Sequence, residues 1–275
     1  MVKITILLEN NSLPEQYKSR HGLSILIEHE HEIILLDVGP DNKFLLNAAI
    51  KNIDLGKVNY LFLSHNHNDH TGGLNTFLKM NKNAPVYLMD EIDNKYYVKQ
   101  FFFYIPIGLK INKKYRSRVI QIKNDFLISS NIYFLKNTVS KYTKPTFNNT
   151  LYKKEKSGKI NDTFTHEGIL VLEDNNELLL FDSCSHNGIL NIIETVKTKI
   201  PGKKIRAYIG GLHLCNPSTK MNDSDEYLDY LASELAKMEI TIYTGHCTGK
   251  YALNYMKKKL GDKIREINTG MELII

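Results

Sequence analysis

Short apolar runs with strand character recur through both halves of this 275-residue chain, and segments of helical length separate them. In the N-terminal third they are ITILL, then LSILIEH and IILLDVG, which a turn around His29 to Glu32 makes a hairpin. A helical NKFLLNAAIK and the strand VNYLFLS follow. In the C-terminal part GILVLE, ELLLFDS, IRAYIGG, ITIYTG and MELII are the strands, with helices predicted at about 187–199, 223–237 and 250–259. Each set of strands needs a helical layer to cover one face, so the pattern predicts an α/β (α+β) fold, a four-layer αββα sandwich whose loops meet at one edge. Residues 1–275 are expected to form a single domain, carrying a basic, aromatic-rich insert or cap at about 91–160.

Composition narrows the class further. With 42% hydrophobic and 24% charged residues the chain sits in the ordinary globular range. The N-terminal MVKITILLEN alternates like a strand and lacks the features of a signal peptide, and no apolar run approaches membrane-spanning length. A soluble cytoplasmic protein without a membrane partner is the expectation. Cys184, Cys215 and Cys247 are an odd number without paired spacing, which fits reduced thiols rather than a disulfide framework, and each lies within two residues of a histidine. Charge is uneven: residues 91–159 carry 15 Lys and Arg against 4 Asp and Glu, whereas the rest carries 21 against 26. A basic segment in an acidic body is either a solvated face or a rim that attracts an anionic substrate.

The strand VNYLFLS runs directly into SHNHNDHTGG. His65 and His67, two apart in an extended loop, point the same way and can chelate one ion, and Asp69 and His70, past the bend, can face a neighbouring one. Two divalent ions are expected, zinc first, with manganese or iron also suited to His and carboxylate ligands. Such a pair can share a hydroxide as nucleophile and polarise the group attacked. The pattern His-x-His-x-Asp-His arises by chance in roughly one such chain in a thousand. Thr71-Gly72-Gly73 is expected to make a tight turn into a helix at about 74–80, using backbone angles that other residues resist.

Four ligands cannot complete two coordination shells. His166, His186, His213 and His246 all fall at apparent strand ends within two residues of a glycine or cysteine and are the candidates for the remainder, whereas His21, His29 and His31 read as surface residues.

With these residues placed, the chain resembles the metallo-β-lactamase superfamily of metal-dependent hydrolases. LLDVGP with Asp37 resembles its first motif, SHNHNDHTGG its second, LLLFDSCSH its fourth and YTGHCTG its fifth. HEGILVL, SCSHNGILNII, GGLHL and GHCTG resemble the branch of 7,8-dihydropterin-6-methyl-4-(β-D-ribofuranosyl)aminobenzene 5′-phosphate synthase. The resemblance implies that His65 and His67 bind the first metal, that Asp69, His70 and His246 bind the second, and that Asp37 anchors a ligand imidazole from behind. At the fourth motif the strand ends in Asp182-Ser183-Cys184-Ser185-His186, so Cys184 stands where a bridging aspartate is usual and His186 is the third histidine for the first metal. The third motif has no clear equivalent, Asp162 or His166 lying nearest to it.

The expected function is a metal-dependent hydrolase acting on an anionic small molecule, a phosphate ester or pterin-related phosphate among the candidates. Asp69 would orient the nucleophile, and His213 or His186 would protonate the leaving group or hold the oxyanion. The alternative is a nucleic-acid phosphodiesterase or nuclease of the same fold, against which stands the lack of any recognisable nucleic-acid-binding module.

Overall fold

The computed structural model describes residues 1–12 and 14–275. Its strands are β1 (Val2–Leu8), β2 (Ser24–His29), β3 (Glu32–Leu36), β4 (Tyr60–Leu63), β5 (Val86–Leu88), β6 (Tyr96–Gln100), β7 (Phe103–Pro106), β8 (Val119–Gln121), β9 (Phe126–Ser129), β10 (Ile132–Lys136), β11 (Leu151–Glu155), β12 (Gly158–Asn161), β13 (Gly168–Asp174), β14 (Glu177–Phe181), β15 (Lys204–Ile209), β16 (Thr241–Thr244), β17 (Ile264–Glu266) and β18 (Glu272–Ile274). The helices are α1 (Lys43–Ile50), α2 (Asn68–Thr71), α3 (Leu74–Met80), α4 (Ile189–Lys199), α5 (Asp225–Ala236) and α6 (Lys250–Leu260). The chain divides into two compact units, one of residues 1–123, 151–161 and 267–275, the other of 124–150 and 162–266.

The first unit is built on a sheet in the order β18-β1-β2-β3-β4-β5-β8. Its N-terminal strands are antiparallel, and the β2–β3 hairpin turns through Glu30 and His31 as the sequence suggests. From β3 onward neighbours are parallel. Parallel strands are apolar on both faces, and LFL of β4 and VYL of β5 are buried throughout. Phe44 and Ala48 of α1 and Leu74, Phe77 and Leu78 of α3 fill the core against this sheet. Arg118 fastens the end of α3, donating to the carbonyls of Leu78, Asn81 and Ala84 at 3.2, 2.7 and 2.6 Å. A second, antiparallel sheet of the same unit runs β12-β11-β6-β7.

The second unit carries the order β17-β16-β15-β14-β13-β10-β9, parallel from β14 to β17. Helix α4 buries Ile189, Leu190, Ile192, Ile193 and Val196. The hydroxyl of Ser224 caps α5 by accepting from the Tyr227 amide at 3.3 Å, and Asp225 and Glu226 suit its positive end. Helix α6 ends in Lys257, Lys258 and Lys259 before Gly261, which turns the chain at φ +55°.

Residues 91–160 contribute strands to all three sheets. Their aromatic residues divide accordingly: Tyr96 is buried, whereas Phe101, Phe102 and Phe103 at the β6–β7 turn are 89%, 92% and 73% exposed. Several of their cations are already engaged. The Lys159 ammonium sits over the rings of Tyr97 and Tyr104, and Arg116 pairs with Asp93.

Candidate metal centre

In each unit the chemistry-bearing residues lie just past the carboxyl ends of parallel strands, where an open α/β sheet leaves its loops free to bind ligands. After β3 comes Asp37, after β4 the segment from Ser64 to His70, after β14 the segment Asp182–His186, after β15 His213, and after β16 His246 and Cys247.

Beyond Leu63 the histidine segment closes into the single turn α2 and continues into α3. The intervening glycines have ordinary helical angles, φ −64° at Gly72 and −76° at Gly73, so backbone freedom is not their reason. Their reason is close approach. A Cβ on Gly72 would lie 2.1 Å from the Pro40 carbonyl oxygen, and one on Gly73 would lie 2.3 Å from that of Val38. Without side chains the two glycines let the segment press against residues 38–41, which brings His70 onto Asp37.

The carboxylate of Asp37 is fully buried and organises the first unit's cluster. It accepts from the Ser64 amide at 2.8 Å, the Ser64 hydroxyl at 2.7 Å and His70 Nδ1 at 2.8 Å. The single hydroxyl proton of Ser64 goes to that carboxylate, so its oxygen accepts from His65 Nδ1 at 2.8 Å. One carboxylate thus fixes both rings through their Nδ1 atoms, and Nε2 of His70 faces Asp69. Their rings lie 4.3 Å apart, and His67 stands edge-on to His65 at 4.6 Å. Ligand atoms of His65 and His67 lie within 4.8 Å of one another, as do those of His65 and His70. Asp69 Oδ2 is 3.5 Å from His70 Nε2 and 3.4 Å from His21 Nε2. Burial opposes the charge on Asp69, but His70 and His21 outweigh it and hold the carboxyl well below its usual range. Burial likewise opposes the charge on His70, and the carboxylates of Asp69 and Asp37 outweigh it, raising the imidazole well above its usual value.

The imidazoles of His65, His67 and His70, with the Asp69 carboxylate beside His70, are of the donor types a zinc-class divalent ion takes, with bonds about 2 Å long. The residues therefore fit a metal. Substituting Asp37→Asn turns an amide N–H group toward at least one of the donors it must accept from and frees the imidazoles to reorient. Metal affinity is expected to fall by about 10- to 100-fold, measured by competition with a chelating dye, and unchanged affinity would refute this support role.

The second unit holds its histidines by equivalent means. His186 Nδ1 donates to Asn148 Oδ1 at 3.0 Å, and Asn148 Nδ2 donates back to the His186 carbonyl at 2.7 Å. Phe164 stacks on the His186 ring at 4.3 Å, and His213 lies 4.1 Å from it on a tilted plane. Fully buried Glu167 accepts from the amides of His186 and Asn187 at 2.6 and 2.8 Å, which fixes where the loop after β14 runs. Burial pushes the Glu167 carboxyl up despite these bonds. Asp182 Oδ1 accepts from the Ser185 and Cys184 amides, and burial with the Glu167 charge pushes its carboxyl well up. His166 Nε2 is bonded to Asp162 Oδ2 at 2.8 Å. His246 is buried and, like Ser185, His213 and Asp37, adopts a left-handed backbone. Burial alone would raise the Cys247 thiol, but neighbouring Cys184 and His213 outweigh it and bring it down to about 5.

Two expectations need correction. His29 is only 4% exposed, and His21 is half-buried beside Asp69; of the three histidines read as surface residues only His31 is exposed. The sequence reading also missed Ser64, Asn148, Glu167 and Cys247. For Glu167 a signal existed, an acidic residue opening the wholly apolar run GILVL.

A sequence model of the metallo-β-lactamase superfamily matches residues 18–130. A Methanocaldococcus jannaschii protein named 7,8-dihydropterin-6-methyl-4-(β-D-ribofuranosyl)-aminobenzene-5′-phosphate synthase is 29% identical over 92% of this chain and 89% of its own. An uncharacterised protein of the same organism is 27% identical over 94% of each chain. A solved structure, Tm1679, described as a metal-dependent hydrolase of the β-lactamase superfamily, has 25% identity and a TM-score of 0.83 over 100% of this chain and 99% of its own. The α/β class and fold expected from the sequence are therefore those the protein has, and residues 18–130 are similar to the metallo-β-lactamase superfamily.

Proposed function

We propose that the protein is a metal-dependent hydrolase of an anionic small molecule, a phosphate ester of pterin-like or other aromatic character. The observation that carries this reading is the arrangement around Asp37, which fixes the imidazoles of His70, directly, and of His65, through Ser64, by their Nδ1 atoms. His65, His67, Asp69 and His70 would hold the metal from the first unit, and the superfamily resemblance assigns His186 and His246 of the second to the same task. A divalent ion bound there supplies Lewis-acid polarisation and a nucleophile at neutral pH. The protein's own groups do the rest. Asp69 is an acceptor that orients the attacking group, and the imidazole of His213 is the donor for the departing oxygen.

The substrate class is supported by the 29%-identical relative, whose name is that of a phosphate synthase, and by the lysine-rich residues 91–159, which favour approach of an anion. The test is elemental analysis of untreated protein joined to a screen of phosphomonoesters, phosphodiesters, lactones and pterin phosphates. A divalent metal should co-purify, and hydrolysis of at least one phosphate ester should vanish on chelation and return with added metal. Metal-replete protein that hydrolyses none of these would overturn the reading.

A further inference from the structure

The second unit contains a cluster of different chemistry, two thiols and an imidazole, of which the proposed function uses only His213. The loops leaving β14, β15 and β16, three adjacent parallel strands, deliver Cys184, His213 and Cys247 to one point. A ligand atom from each lies within 4.8 Å of the other two, and the residues are 3%, 7% and 4% exposed. None of the three cysteines of the chain is in a disulfide.

Two further observations point to a ligand. Among the described residues neither ring nitrogen of His213 has a hydrogen-bond partner, although the side chain is more than nine-tenths buried. Leaving a buried polar atom in that state carries an uncompensated desolvation cost, which a ligand on the imidazole would remove. The surrounding chain is also built to hold the sulfur and the ring in register. His213 sits at φ +53°, a conformation that persists in a non-glycine residue only when its neighbours impose it. The neighbours are on hand. The Gly211 amide donates to the Ser183 carbonyl at 2.9 Å, the Leu212 amide to Thr248 Oγ1 at 2.9 Å, the His213 amide to Cys247 Sγ at 3.3 Å, and the Cys215 amide to the Cys247 carbonyl at 3.0 Å. A Cβ on Gly211 would lie 2.4 Å from Cys247 Sγ, so this glycine is what leaves room for the sulfur.

We propose that Cys184, His213 and Cys247 form a binding site for a thiophilic cation of the zinc class. Two sulfurs and one imidazole nitrogen are a softer donor set than the imidazoles and carboxylate of the first unit, and they favour Zn2+, Cd2+ or Cu+ over the oxygen-seeking ions. Ligand atoms within 4.8 Å of one another accommodate bonds of about 2.3 Å to sulfur and 2.0–2.1 Å to nitrogen around one ion. Three protein ligands leave a fourth position for an exchangeable ligand, as in zinc sites that are not purely structural.

The probe is Cd2+ added to metal-free, reduced protein, read by the sulfur-to-metal charge-transfer absorbance in the near ultraviolet. Wild type should develop the band. Cys184→Ser and Cys247→Ser should each abolish it, and His213→Asn should weaken Cd2+ at this site by at least about tenfold. The double variant His65→Ala/His67→Ala and the variant Cys215→Ser should both keep it. Absence of the band in wild type overturns the proposal, as does a band that survives Cys247→Ser or disappears in the double histidine variant, because Cys184 would then serve the other cluster. A readout needing no substitution is alkylation followed by mass spectrometry: Cd2+ should protect Cys184 and Cys247 together and leave Cys215 reactive. Equal alkylation of all three with and without Cd2+ is the contrary result.

Discussion

Asp69→Asn is expected to lower turnover of the phosphate ester by about a hundred- to ten-thousand-fold while the protein stays folded. The substitution keeps the side chain's shape and one oxygen. It removes the negative charge that His21 Nε2 and His70 Nε2 approach at 3.4 and 3.5 Å, and with it the acceptor that would orient the attacking group. The loss corresponds to about 3 to 5 kcal/mol in the barrier. Asp69 is only part-buried, and its carboxylate caps no element of the fold, so the cost falls on chemistry. Steady-state kinetics on the substrate identified in the screen should show the loss in kcat with little change in KM. Turnover equal to wild type would remove Asp69 from the mechanism.

Gly210→Ala is expected to cost more than about 3 kcal/mol of stability, at or above the upper range for overpacking, because the added methyl group meets backbone rather than a mobile side chain. A Cβ at position 210 would lie 1.8 Å from the Asp182 carbonyl oxygen and 2.7 Å from its carbon. The backbone there is also at φ +152°, which side-chain-bearing residues rarely adopt. Relief requires the ends of β14 and β15 to separate, breaking the bond from the Asp182 amide to the Ile209 carbonyl and that from the Tyr208 hydroxyl to the Asp182 carbonyl. The loops carrying Cys184, His186 and His213 leave from those same strand ends, so any folded remainder should also lose the Cd2+ band. Gly202→Ala is the control: it too has positive φ, +79°, but nothing lies within 4 Å of the added carbon, so only the conformational penalty applies. Denaturant midpoints for the two variants should differ clearly. Equal midpoints would show that the chain relaxes around residue 210.

Much of this protein is legible residue by residue. The helices predicted at about 187–199, 223–237 and 250–259 occur at Ile189–Lys199, Asp225–Ala236 and Lys250–Leu260, because an apolar stripe, a capping serine and a closing glycine are all local signals. The strands before Asp37, His65, His186 and His246 are equally plain, since each is a short run of apolar residues bounded by polar ones. Residues 91–160 are less so. Their strands are three to five residues long, and the solvent-facing ones carry aromatics and lysines together, which blurs any period of two.

The roles of Gly72 and Gly73 illustrate a different limit. The sequence marks a glycine pair, but whether the need is an unusual dihedral or a close contact depends on what packs alongside, and here the contact decides. Hydrogen-bond partners are still more distant. Asp37 meets His70 across 33 positions, Asn148 meets His186 across 38, and Glu167 meets the His186 amide across 19.

By itself, then, the order of apolar and polar residues determined the α/β class, the strands and helices, and which ligand-type side chains stand at strand ends, because each of these depends on neighbours within one or two turns of chain. Only the tertiary structure decided that Asp37 governs His70 directly and His65 through Ser64, and that His213 lies beside two thiols brought from 29 and 34 residues away. Those facts depend on strand order and on the register of parallel pairs. Both are set by packing the whole core, and no local pattern encodes them.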